Sequence, residues 1–97
     1  MAIATVNPAT GETEKTFTPH DETEVDCRIG RAYDAFLVLA DTSFAERAEW
    51  MNCTADVLET DVDDAARLLT LEMGKPLAQA RAEVLKSAQA MRFYAEH

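Results

Sequence analysis

LLTLEMGKP, residues 68–76, carries a run of helix-favouring residues into a glycine and restarts at a proline. Gly74 can take the left-handed conformation that closes a helix, and Pro76 has the fixed φ and missing amide donor suited to the first turn of the next one. The stretch reads as a hinge between two helices. Downstream, Leu77, Ala80, Val84, Ala88, Met91 and Ala95 recur at spacings of three and four, which predicts one helix starting at Pro76 with no stop signal before His97. Upstream, Val62, Ala65, Ala66, Leu69 and Met73 mark a third helix that starts around Thr60 or Asp61 and stops at Gly74.

Further towards the amino terminus, Ser43 and Glu46 form the signature of a capping box, and Phe44, Ala48, Met51, Ala55 and Leu58 follow as the stripe of a second helix. Val25, Ile29, Ala32, Phe36 and Leu39 share one face of a first helix over about 19–40. Thr18 before Pro19 offers one cap for it, and Asp21 with Glu24 offers a rival start. Gly30 inside this helix costs about 1 kcal/mol relative to alanine, so close approach of another backbone is expected there. Residues 1–17 read as a hairpin, with β-branched strands over 2–6 and 13–17 around NPATGE; the six-residue connection predicts an irregular turn. The expected fold is mainly α: a hairpin over 1–18 and four amphipathic helices over 19–97. Two strands alone are marginal in water and need helices or a further sheet to lean on.

Ninety-seven residues allow one small domain at most, and 47% hydrophobic with 28% charged content is that of a globular chain. Nine basic against eighteen acidic residues give a net charge of -9. Such a field repels phosphate backbones and anionic membranes, so neither nucleic acid nor a membrane is expected as a partner. No apolar run approaches the roughly 18 residues of a membrane span, and the charged-then-apolar order of a signal peptide is missing; a cytoplasmic location is expected. Cys27 and Cys53 are too few for a disulfide framework and are read as reduced thiols.

Candidate chemistry is sparse. Asp61, Asp63 and Asp64 cluster as cation ligands would, but a calcium loop needs further ligands and a turn glycine, whereas negative charge at a helix start is favoured by the dipole. His20 and His97 lie near segment ends with no shared third group. Nothing around Cys27 or Cys53 supplies the lowered pKa and oxyanion donors a nucleophile requires. Gly11, Gly30 and Gly74 are too scattered for a dinucleotide fingerprint. Lys75 reads as a solvated lysine near a helix end, and Trp50, Phe93 and Tyr94 as packing residues. No catalytic, cofactor-binding or metal residue is assigned.

NPATGE at 7–12, the paired helices of 36–58, and the hinge with its following helix over 68–94 occur in an order and spacing that resemble the amino-terminal region of NAD(P)-dependent aldehyde dehydrogenases. TLEMGKPLAQARAE, with the aromatic pair Phe93 and Tyr94 after it, is most similar to the bacterial succinate-semialdehyde dehydrogenase branch. The resemblance implies a piece of a larger α/β fold that oxidises aldehydes: a cysteine thiolate attacks, hydride passes to NAD(P), and a glutamate helps water release the acid. In the family those residues belong further along the chain, so none is carried over.

Two readings follow. In the first, the chain is a truncated amino-terminal segment of such an enzyme: inactive alone, binding no cofactor itself, and partnered by the remainder of a dehydrogenase or by itself through exposed apolar faces. In the second, it is a freestanding acidic helical module that binds another protein.

Overall fold

The computed structural model describes residues 3–97. Its elements, in order, are β1 (Ile3–Val6), β2 (Thr13–Phe17), α1 (Glu22–Ala40), α2 (Phe44–Thr60), α3 (Val62–Met73) and α4 (Leu77–Glu96). The expected extension of the first strand to Ala2 lies outside the described residues.

The strands pair antiparallel from Ile3 opposite Phe17 to Val6 opposite Thr13, with a register shift between Thr5 and Val6. Asn7 organises the connection. Its Oδ1 accepts the Ala9 amide at 3.0 Å, its carbonyl accepts the Gly11 amide at 2.7 Å, and its own amide donates to the Glu12 carbonyl at 2.9 Å. The side chain thus substitutes for a tight turn, as asparagine does in Asx turns. Gly11 closes the connection at φ 77°.

Helix α1 begins at the rival start. Asp21 is its cap, accepting the Glu24 amide at 2.8 Å. The helix therefore does not reach back to Pro19, and Thr18 caps nothing. A carboxylate at the cap is the stronger device, because it satisfies an orphan amide and carries negative charge to the positive end of the dipole. Helix α2 starts as its sequence predicts: Ser43 Oγ accepts the Glu46 amide at 3.2 Å while Glu46 Oε2 accepts the Ser43 amide at 2.7 Å. Ser43→Ala removes half of this box, and a loss of about 1 kcal/mol is expected, checked by the denaturation midpoint.

Helices α2 and α3 meet at Asp61, whose amide donates to the Val57 carbonyl at 2.9 Å while its carbonyl accepts from Ala65 at 3.0 Å. The Asp61 side chain forms no cap bond, and Asp63 and Asp64 stand in the first turn of α3, where their charge meets the positive end of the helix dipole as expected. Gly74 ends α3 in the left-handed conformation, φ 72° and ψ 17°, with its amide on the Thr70 carbonyl at 3.0 Å. Pro76 sits at the cap position of α4, one residue outside the first turn where it was expected; its carbonyl accepts the Ala80 amide at 2.9 Å.

The centre of the packing is α4, which lies against both α2 and α3; β1 touches α3, and α1 packs against no other element among the described residues. The α4 stripe buries Ala80, Val84 and Ala88, joined by Ala55 of α2 and Ala66 of α3. A core of four alanines and one valine lets helix axes approach closely but removes little apolar surface from water. The Cα radius of gyration is 17.4 Å, against about 13 Å for a packed domain of this length. The accessible surface is 7759 Å², about 2,200 Å² more than a compact monomer of this mass exposes. Gly30, expected to mark a close backbone approach, has nothing within 4 Å of the place a Cβ would occupy.

Candidate functional site

The hinge and the hairpin turn come together. A Cβ built on Gly74 would stand 3.0 Å from Pro8 Cγ and 3.7 Å from Pro8 Cβ. The NPATG turn is thus seated on the left-handed glycine, where the missing side chain makes room for the proline ring. Neighbouring Lys75 is half-buried and paired with Glu83 of α4. This corrects its reading as a freely solvated lysine: the pair ties the hinge to the second turn of the helix that follows it.

Two further ion pairs join the helices. Arg81 of α4 pairs with Asp63 of α3, which gives this aspartate a partner between helices in place of a cation. Arg92 of α4 reaches two carboxylates of α2: its Nη2 lies 2.5 Å from Asp56 Oδ1 and 2.7 Å from Glu59 Oε2, with Nε 3.2 Å from Glu59 Oε1. This two-pronged grip holds the Glu59 carboxyl below its ordinary range and raises the Arg92 guanidinium further. Glu46 is likewise lowered, first by the Ser43 amide and then by the Ser43 hydroxyl.

Both carboxyls titrate lower in the folded chain than their ordinary value of 4.5. Their stabilisation is therefore complete above that value and is lost as pH falls through the lowered folded values. An acid titration of helix content should show loss beginning below pH 4.5, and Glu59→Gln should make that loss shallower while weakening α2–α4 docking at neutral pH. High salt should shrink the Glu59 contribution, because the pair is exposed.

The other singled-out residues do not converge. Cys27 and Cys53 are exposed thiols on α1 and α2. His97 stacks on Phe93 at 4.4 Å, with its Nδ1 2.9 Å from the Phe93 carbonyl, while His20 is exposed in the segment between β2 and α1. Among the described residues, no group of three or more His, Cys, Asp or Glu side chains is placed to hold a metal ion. Trp50, Phe93 and Tyr94 are exposed rather than packed within this chain. Trp50 borders a shallow apolar groove with Met51, Thr54 and Met91. Tyr94 borders a second groove, with Phe44, Ala48 and Met51, near the amino-terminal end of α2.

The profile described as "Aldehyde dehydrogenase family" matches residues 1–97. The chain belongs to the aldehyde dehydrogenase family. A relative from Mycobacterium tuberculosis, succinate-semialdehyde dehydrogenase [NADP(+)] 1, is 58% identical over 97 residues, covering 100% of this chain and 21% of the relative. The structure of Gox0499, reported in work on cofactor and substrate selection, superposes with a TM-score of 0.92 at 31% identity, over 99% of this chain and 21% of that one. An aldehyde dehydrogenase from Brucella melitensis biovar abortus 2308 superposes with a TM-score of 0.87 at 32% identity, over 99% and 20%. The chain thus spans about a fifth of the length of the curated relatives it matches. The hairpin and four helices are a small part of that larger fold.

Two stretches on which the family resemblance rests, NPATGE and LEMGKP, are the ones that touch through Pro8 and Gly74. Neither offers a cradle for a dinucleotide. Gly74 is closed off by the proline ring, Gly30 lies within α1, and Gly11 closes a turn; a phosphate cradle instead needs clustered glycines opening onto a helix amino terminus.

What the sequence did not disclose is long-range. Arg92 finds its carboxylates 36 and 33 residues upstream, and no local spacing marks such a pair. The Pro8 contact had a weak signal: a left-handed glycine is already an opening on one side, and an apolar turn residue is a natural filling for it.

Proposed function

We propose that this chain is the amino-terminal helical portion of an NADP(+)-dependent dehydrogenase that oxidises succinate semialdehyde to the acid, and that it works in the cytoplasm, where two exposed thiols stay reduced. The observation that carries the reading is 58% identity over the entire chain to the Mycobacterium tuberculosis enzyme of that activity. On this reading the chain's contribution is architectural. The Pro8–Gly74 contact fixes the hairpin against the helices, and the Arg92 and Arg81 pairs fix α4 against α2 and α3. Thiolate attack and hydride transfer need positioned partners that this stretch does not bring together.

A chimera supplies the test. With this chain in place of the matched first fifth of the Mycobacterium tuberculosis enzyme, NADP(+)-linked oxidation of succinate semialdehyde is expected within about tenfold of the parent, equivalent to about 1.4 kcal/mol of barrier. The 97-residue chain alone is expected to reduce no NADP(+). A folded but inactive chimera would overturn the assignment. So would stoichiometric NADP(+) binding by the chain alone, or turnover by it that Cys27→Ala or Cys53→Ala abolishes. The freestanding-module reading draws on one observation, the unpartnered α1, and such a module would give a misfolded or inactive chimera.

A further inference from the structure

We draw no further inference here: the strongest candidate, the shallow apolar groove between α2 and α4 bordered by Trp50, Met51, Thr54 and Met91, carries nothing, because nothing in the structure shows what covers it.

Discussion

Gly74→Val is expected to destabilise the hinge by at least about 1–2 kcal/mol. Two costs combine. A β-branched residue held in the left-handed region costs about 1–2 kcal/mol, and the native φ of 72° leaves no alternative while α3 and α4 keep their angle. Its Cβ would also arrive 3.0 Å from Pro8 Cγ, so the exposed proline ring must give by a few tenths of an ångström. The two terms can be separated. Gly74→Ala made beside Pro8→Ala relieves the steric term and leaves the conformational one, so the double variant should be more stable than the sum of the single changes by about 1 kcal/mol. The midpoint of the first denaturation transition of the chimera checks both numbers. Additive changes would show that the hairpin turn does not rest on the hinge.

Ala88→Leu is expected to cost about 2–3 kcal/mol through overpacking. Ala55, Ala66, Ala80 and Ala88 are each 0% exposed, so the three helices meet backbone against backbone, and a leucine can enter only by prising α4 away from its neighbours. Displacing α4 also pulls Arg92 from Asp56 and Glu59. Ala90→Leu, on the exposed side of the same helix, is the control and should stay within about 0.5 kcal/mol of the parent. Equal tolerance of the two leucines would mean that the alanine seam is not close-packed.

Local chemistry in this chain was legible, and contacts across it were not. The Ser43–Glu46 box, the left-handed Gly74 and the buried stripe of Ala80, Val84 and Ala88 all follow from residues within four positions of one another, the range over which caps and helical faces are decided. The start of α1 was ambiguous for the same reason. Two caps compete within three residues, and the carboxylate of Asp21 prevails over the hydroxyl of Thr18. The stripe Val25, Ile29, Phe36 and Leu39 was also read correctly as a face, yet it stays exposed here, because periodicity shows that a face is apolar without showing what covers it. Trp50 and Tyr94, read as packing residues, border open grooves on the same account. Family membership was legible because NPATGE and TLEMGKP are specific phrases. Their meeting through Pro8 and Gly74 was not, since 66 positions separate them.

The central claim is that these helices present apolar faces made for polypeptide beyond this chain, and thermal unfolding of the purified 97-residue chain, followed together by calorimetry, light scattering and binding of a hydrophobic dye, tests it most directly. With α1 bare and a core of five small side chains, the chain should bind dye at low temperature, unfold without one sharp heat-absorption peak, and self-associate as the concentration rises, slowed by its net charge of -9. A monomer that binds no dye and unfolds in a single sharp transition would contradict the account.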